Sequence, residues 1–147
     1  MTLEEKIAFC TGADFWHTVG YDKYSIPSIM MCDGPHGLRC QQGGADMMGI
    51  NQSLPATCFP AAVTAGASWD RELYYLEGEA IGMAAALGVS VVLGPGCNIK
   101  RNPHGGRNFE YISEDPCVAG KMAAAFIQGV QSTGVGTSLK HFAINSQ

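Results

Sequence analysis

Apolar and polar residues alternate along the chain in blocks that predict helices and short buried strands. The first block, TLEEKIAFCTG, predicts a helix over residues 2–12. Thr2 and Glu5 have the spacing of a capping box. Leu3 and Ile7 then fall on one face, and Gly12 can end the helix. The next block, SIPSIMMCDG, is a short apolar run that stops abruptly at a polar turn, which indicates a buried strand.

The middle of the chain combines a loop, an apolar run and a helix. From Gln41 to Pro55, glycine, asparagine and proline occur without periodicity, which predicts a long surface loop. The run FPAAVTAGASWD, residues 59–70, predicts a second strand. Asp70 then caps a predicted helix that reaches Leu87 and ends at Gly88.

The last third of the chain follows the order strand, helix, strand. VSVVLGPG predicts a short strand, Asp115 and Pro116 begin a helix, and GTSLKHFAIN begins a further strand. Strands that are apolar on both faces and alternate with helices indicate a parallel sheet covered by helices, and hence an α/β fold. No helix is predicted between the first two strands, so a doubly wound sheet and a (β/α) barrel are both open at this point.

Composition and charge narrow the range of partners. The 147-residue chain is 46% hydrophobic, carries a net charge of -4 and has no cluster of lysine and arginine, which argues against nucleic acid and anionic membranes. It has no stretch of about 18 apolar residues to span a membrane, and its N-terminus lacks the pattern of a signal peptide. The six cysteines are dispersed without a C-x-x-C pair, so we expect reduced thiols, no metal site and a cytoplasmic protein.

Polar side chains that suit an oxygen-rich ligand follow three of the predicted strands. Asp33 follows SIMMC, Arg101 and Arg107 follow VSVVL, and Lys140 and His141 follow GTSL. The carboxyl ends of parallel strands carry the sites of barrels and of open α/β sheets alike. A carboxylate accepts hydrogen bonds from hydroxyl groups, whereas guanidinium and ammonium groups donate them.

Each of these side chains also has a purely structural interpretation. The Asp33 carboxylate can cap its own turn. Arg107 can form an ion pair with Glu110 or Asp115, and His141 can be a core histidine with satisfied hydrogen bonds. The residue types alone therefore leave the two interpretations open.

Three motifs, DGPHGLR, GPGCNIKRNPHGGRNFEYISEDP and KHFAIN, occur in this order along the chain. Together they resemble the N-terminal domain of glycoside hydrolase family 3, the β-glucosidase family, and the resemblance covers nearly the whole chain. It implies a (β/α) barrel of the TIM type whose rim holds a terminal, non-reducing sugar. By their places in these motifs, Asp33, Arg107, Lys140 and His141 look like sugar contacts, and Arg101 looks like a support for Arg107.

The resemblance also implies what the chain lacks. Family members hydrolyse glycosides with retention, using an aspartate nucleophile on a later barrel strand and a glutamate acid/base from a following domain. A full barrel needs about 250 residues, so residues 1–147 correspond to the first half of the barrel domain and contain no assigned catalytic residue. Glu110 and Asp33 are candidates for the carboxylate pair only if the family is a different one. The family more often has asparagine where this chain has Ser146.

These features favour the sugar-binding part of a retaining β-glucosidase-like hydrolase that acts on terminal β-D-glycosyl residues and needs no cofactor. Its expected partners are a β-glucoside or oligosaccharide and, through pairing or self-association, the missing half of the barrel. One alternative is a non-catalytic carbohydrate-binding or assembly fragment that a partner chain completes. Another is an α/β domain for phosphate or nucleotide, although neither G-x-G-x-x-G nor G-x-x-x-x-G-K-[ST] occurs in the sequence.

Overall fold

A three-stranded parallel sheet organises the chain. The computed structural model describes residues 1–41, 52–86 and 88–146. The strands are β1 (Met31–Cys32), β2 (Val91–Val92) and β3 (Gly136–Thr137), and they lie side by side in the order β1-β2-β3. Cys32 pairs with Val92 and Val92 with Thr137, so the carboxyl ends of all three strands meet at one edge of the sheet. The parallel sheet predicted from the apolar runs is therefore confirmed.

The described residues also form four α-helices, two of which carry most of the packing. The helices are α1 (Leu3–Phe9), α2 (Ala62–Ser68), α3 (Arg71–Ala85) and α4 (Pro116–Ser132), and short 3-10 turns cover Asp22–Tyr24 and Asn108–Glu110. The helix α3 packs along α4 at very short range, because a Cβ atom at Gly78 would lie 2.4 Å from the carbonyl oxygen of Phe126. The core between helices and sheet includes Tyr74, Ile81, Val92, Ile112, Phe126 and Val130.

The predicted helix boundaries are confirmed at their N-termini. At α1 the capping box is present, with Glu5 N–H donating to Thr2 Oγ1 at 3.2 Å and Thr2 N–H donating to Glu5 Oε2 at 2.7 Å. Asp70 caps α3, and the Asp115 carboxylate accepts from Val118 N–H at 2.8 Å at the start of α4. The C-terminal boundary of α1 differs, since the helix ends at Phe9 rather than at Gly12, and none of its residues is buried.

The strand predicted over residues 59–70 is wrong, because this run forms α2. Ala62, Ala65 and Gly66 are its buried residues, and their spacing is helical. A Cβ atom at Gly66 would lie 2.2 Å from the carbonyl oxygen of Ile112, so small residues let this helix approach the loop before α4. Two helices therefore connect β1 to β2, namely α3, which the sequence predicts, and α2, which takes the place of the predicted second strand.

The remaining predictions concern the loop, the cysteines and the membrane. The predicted loop between Gln41 and Pro55 lies largely outside the described residues, and Gln41 forms an isolated antiparallel bridge with Ser53. All six cysteines are unpaired. In the parts of the chain that the structure describes, no helix combines the length and the apolar character that a membrane span requires.

Candidate functional site

Asp33 lies directly after β1 in a tight turn. The N–H of Arg39 donates to the carbonyl oxygen of Asp33 at 2.9 Å and closes the turn. Gly34 has a φ of +104°, and a Cβ atom there would lie 2.0 Å from the carbonyl oxygen of Gly37, so the turn requires glycine. The Asp33 carboxylate does not cap this turn. Its Oδ1 instead accepts from Lys140 Nζ at 3.3 Å, and Lys140 lies beyond the end of β3.

Glu110 completes the link between the three strand ends that Lys140 begins with its contact to Asp33. Its Oε2 lies 3.3 Å from Lys140 Nζ, and its Oε1 forms an ion pair with Arg107 Nε. Arg107 and Glu110 belong to the loop between β2 and α4, and Asp33 follows β1. The four residues Asp33, Arg107, Glu110 and Lys140 are called the strand-end cluster below.

Exposure is graded across the strand-end cluster. The side chains of Glu110 and Lys140 are 6% and 16% exposed, whereas those of Arg107 and Asp33 are 39% and 40% exposed. The hydrogen bond to Glu110 raises the pKa of Arg107 above its ordinary value. The attraction between the buried Glu110 carboxylate and its two cationic neighbours offsets the free-energy cost of removing the three charges from water. The two exposed members therefore present a carboxylate and a guanidinium to a ligand from a rigid base.

His141 is brought beside the strand-end cluster and is held by its own polar network. Its Nδ1 lies 2.8 Å from the Tyr111 hydroxyl, which also accepts from Asn145 Nδ2 at 3.0 Å. The backbone N–H of His141 donates to Asn98 Oδ1 at 3.1 Å. Burial, and then the charge of Arg107, lower the pKa of His141. When Tyr111 donates to Nδ1, the neutral ring carries its proton on Nε2 and can donate it outward.

Arg101 is not brought together with the other predicted site residues. Its side chain is exposed and forms no hydrogen bond or ion pair with a described residue. It lines a separate open cavity of about 520 Å³ with Glu114 and Ser146. The expected support of Arg107 by Arg101 is therefore absent from the described contacts, and Glu110 takes that role.

Sequence reasoning did not identify the importance of two residues in this region. The sequence predicts Glu110 as an ion-pair partner of Arg107, and as a catalytic carboxylate only in a different family, but it does not predict the contact with Lys140. Arg39 was not singled out, yet its Nη2 is buried and has no hydrogen-bond partner among the described residues. A buried guanidinium nitrogen without a partner is costly, which makes Arg39 a further candidate donor to a ligand. The available signal was its place at the end of DGPHGLR.

The chemistry of this arrangement suits the recognition of hydroxyl groups. The strand-end cluster supplies hydrogen-bond donors and acceptors on one rim, and Glu110 is fully engaged by its cations. Among residues 1–41, 52–86 and 88–146, no three histidine, cysteine, aspartate or glutamate side chains are grouped so as to hold a metal ion. A neutral polyhydroxylated ligand suits such a mixed set of charges.

Comparisons with known proteins agree with this chemistry. The family model described as Glycosyl hydrolase family 3 N terminal domain matches residues 24–146. The chain is 58% identical over 148 residues to thermostable beta-glucosidase B of Acetivibrio thermocellus, and 52% identical over 149 residues to the exo-alpha-(1->6)-L-arabinopyranosidase of Bifidobacterium longum. Each match covers 100% of this chain and 20% of the relative, so the chain spans about a fifth of their length.

A solved structure gives the same picture. The structure of beta-glucosidase 3B from Thermotoga neapolitana in complex with alpha-D-glucose is similar to this chain, with a TM-score of 0.86 and 37% sequence identity. The similarity covers 100% of this chain and 22% of that protein.

Proposed function

The chain belongs to glycosyl hydrolase family 3, and from this premise we propose that it is the sugar-binding part of a retaining β-glucosidase-like enzyme acting on terminal β-D-glycosyl residues. The observation that carries the proposal is a chain of ion pairs, in which Lys140 contacts both Asp33 and the buried Glu110, and Glu110 also pairs with Arg107. These residues come from three separate loops, and a purely structural ion pair would not need all three.

The roles of the residues follow from their exposure and chemistry. Asp33 accepts hydrogen bonds from sugar hydroxyls, and Arg107 donates with the nitrogens that Glu110 leaves free. Lys140 and Arg39 donate from the more buried side, and His141 donates from Nε2. When a sugar binds, its hydroxyls take over part of the interaction that Lys140 now makes with Asp33.

Cleavage of the glycosidic bond requires groups that we place outside this chain. A retaining enzyme needs two carboxyl groups about 5 to 5.5 Å apart, one as nucleophile and one as acid/base. Glu110 is bound by two cations and faces inward, so it is unsuited to either role. We therefore propose that this chain binds and orients the sugar, and that the remainder of the full-length protein supplies both catalytic carboxyl groups.

The proposed architecture is the first part of a (β/α) barrel that spans residues 1–147. The parallel order of β1, β2 and β3 supports it, since a barrel continues this pattern at both free edges of the sheet. Phe142 and Ile144 are 102% and 83% exposed, which suits surfaces that another segment covers. We expect the isolated chain to self-associate or to pair with the missing part, and a compact monomer in sedimentation at micromolar concentration would contradict this architecture.

The decisive experiment replaces the matching segment of the Acetivibrio thermocellus relative with this chain. In this hybrid enzyme, the relative supplies about four fifths of the protein and this chain supplies the proposed sugar site. We expect hydrolysis of an aryl β-D-glucoside by the hybrid enzyme, competitive inhibition by glucose, and no hydrolysis by the isolated chain. An aryl α-L-arabinopyranoside is the informative second substrate, because the Bifidobacterium longum relative is named for that sugar.

The outcomes separate the proposal from its alternative. A folded hybrid enzyme that does not bind glucose would contradict the sugar site. Glucose binding by the isolated chain, combined with no hydrolysis by a folded hybrid enzyme, would favour a non-catalytic binding fragment. Hydrolysis by the isolated chain that disappears in Asp33→Asn or Glu110→Gln would place catalysis within this chain and overturn the division of roles.

We also propose a cytoplasmic location, which the six unpaired cysteines support because oxidising compartments favour disulfides. Fractionation of source cells with an antibody against the chain tests it. Recovery in the external or periplasmic fraction would contradict it.

A further inference from the structure

The turn that carries Asp33 is attached to its neighbour by a histidine with no role in the proposed sugar site. His36 lies in this turn, and its Nε2 accepts a hydrogen bond from the N–H of Ala62, the first residue of α2, at 3.0 Å. Its backbone carbonyl accepts a second hydrogen bond from Phe59 N–H at 2.7 Å. The Asp33 turn is therefore joined at two points to the segment that leads into α2.

His36 also contacts the loop that carries Arg107 and Glu110. Its ring lies 6.4 Å from the ring of Phe109, measured between centroids, with the two planes tilted by 59°. Phe109 lies inside the 3-10 turn that ends at Glu110. The imidazole thus lies where the Asp33 turn, α2 and the Arg107 loop meet.

The hydrogen bond from Ala62 defines the protonation state of the imidazole. A backbone N–H can donate only to an unprotonated ring nitrogen, so His36 is neutral and its single proton is on Nδ1. A proton on Nε2 would face the Ala62 N–H and leave that amide without an acceptor, which is costly away from water.

The groups around His36 include some that raise its pKa and some that lower it. Burial lowers its pKa, the carboxylates of Glu110 and Asp33 raise it, and the ammonium group of Lys140 lowers it, with burial the largest effect. The helix α2 contains no ionisable side chain, since its sequence is AVTAGAS. The neutral form is therefore the favoured one at neutral pH.

We propose that His36 is a positioning residue for the sugar site, which holds the Asp33 carboxylate opposite Lys140 by tying the Asp33 turn to α2 through a neutral, Nδ1-protonated ring. Its effect on activity rests on the proposed function, whereas its tautomer and its bond to Ala62 do not. In the unfolded chain, His36 is protonated below a pH of about 6.5. In the folded chain, burial of the ring disfavours protonation. The contribution of neutral His36 to the free energy of unfolding is therefore complete above this pH and is lost as the pH falls through the lowered pKa.

The tautomer is tested first, on the chain as it is expressed. Histidine-selective ¹⁵N labelling and magic-angle-spinning NMR report which ring nitrogen carries the proton, whether the chain is monomeric or associated. The signal is assigned by its loss in His36→Gln. At pH 7.5 we expect a protonated Nδ1 and an unprotonated Nε2, and the reverse tautomer or a doubly protonated ring would overturn the proposal.

The positioning role is tested in the hybrid enzyme with three variants. His36→Leu keeps much of the volume but removes the acceptor, whereas His36→Gln places an amide oxygen near the position of Nε2 and does not titrate. His17→Gln is the matched control, because His17 is paired with Asp14 in the N-terminal region and is not part of the site. We expect His36→Leu to lower kcat/KM about three- to tenfold and to weaken inhibition by glucose, as the loss of one hydrogen bond predicts.

The expected rescue distinguishes positioning from general stability. His36→Gln should restore kcat/KM to nearly the wild-type value at neutral pH and should remove the decline that protonation of His36 causes as the pH falls through its lowered pKa, while His17→Gln should keep the wild-type pH profile. A folded His36→Leu with wild-type kcat/KM and glucose inhibition would refute the role, as would a His36→Gln variant that rescues neither activity nor the pH profile. If the hybrid enzyme is inactive even with the unaltered chain, the proposed function fails, and the NMR result alone decides about His36.

Discussion

Two glutamates in this chain are buried to a similar degree but have opposite surroundings. Glu110 is 4% exposed, and its two oxygens are bound by Arg107 and Lys140. Glu77 is 8% exposed on the inner face of α3, and its Oε1 has no hydrogen-bond partner among the described residues. Burial raises the pKa of Glu77 to about 7.

The difference shows that burial by itself does not give a carboxylate a functional role. On α3 the surroundings are apolar, so the acid form is favoured and the group is a cost to the fold. At the strand ends, cations from two different loops form ion pairs with the two oxygens of the Glu110 carboxylate and are themselves held in place. The strand-end cluster thus forms where the tertiary fold brings opposite charges to a buried acid, and this is the cluster that we propose binds a sugar.

The largest expected effect is the loss of the buried partner at the strand ends. Glu110→Ala leaves the half-exposed Arg107 and the mostly buried Lys140 without their shared acceptor, which should lower the free energy of unfolding by about 3 to 5 kcal/mol. Urea unfolding at one fixed protein concentration measures it. Glu114→Ala, in the same loop but exposed, should change stability by less than about 0.5 kcal/mol. Equal effects of the two changes would show that the ion pairs of Glu110 do not stabilise the fold.

The next effect concerns ligand binding rather than folding. In the hybrid enzyme, Lys140→Ala or Arg107→Ala should remove about 2 to 4 kcal/mol of transition-state stabilisation, roughly a 30- to 1000-fold loss in kcat/KM. Arg101→Ala should cost less, because Arg101 does not contact the strand-end cluster. Lys121→Ala, exposed on α4, is the control. Wild-type kcat/KM in a correctly folded Lys140→Ala would exclude Lys140 from the sugar site.

The third prediction concerns the pH dependence of stability that Glu77 causes. The unfolded chain releases the Glu77 proton near its ordinary pKa of 4.5, whereas the folded chain keeps it up to about pH 7. Folding therefore binds a proton in this window, and stability falls as the pH rises from 4.5 to 7. Glu77→Gln removes this penalty, so it should be more stable than the wild type by about 1 to 3 kcal/mol at pH 8 and similar to it at pH 4.5. Urea unfolding at both pH values would show this, and a variant destabilised at pH 8 would mean that Glu77 has an ionic partner.

The smallest effect is that of an exposed carboxylate with a local role. Asp115→Ala removes the cap of α4 and should cost about 1 kcal/mol in stability, whereas Asp115→Ser should recover most of it. Thermal unfolding of the three proteins side by side measures the difference. A loss as large as that of Glu110→Ala would show that Asp115 also belongs to the strand-end cluster.

Prediction from the sequence worked where the signal is local and failed where small residues are ambiguous. The capping box at Thr2, the caps at Asp70 and Asp115, and the parallel strands are all confirmed. The run over residues 59–70 was predicted as a strand because alanine, glycine and valine fit either period. Its contact with the backbone at Ile112 favours a helix, and that contact joins residues far apart along the chain.

The sequence by itself determined the caps, the apolar runs, the α/β class and the motifs that resemble family 3, because each depends on neighbours within a few residues. Among the described residues, only the tertiary structure decided that Glu110 and not Arg101 pairs with Arg107, that Arg39 has a buried nitrogen without a partner, and that the buried Glu77 has no cationic partner. The physical reason is that the charge state and role of an ionisable group depend on which groups surround it and how much water is excluded. The surrounding groups and the exclusion of water are both set by the packing of strands and helices that are far apart along the chain.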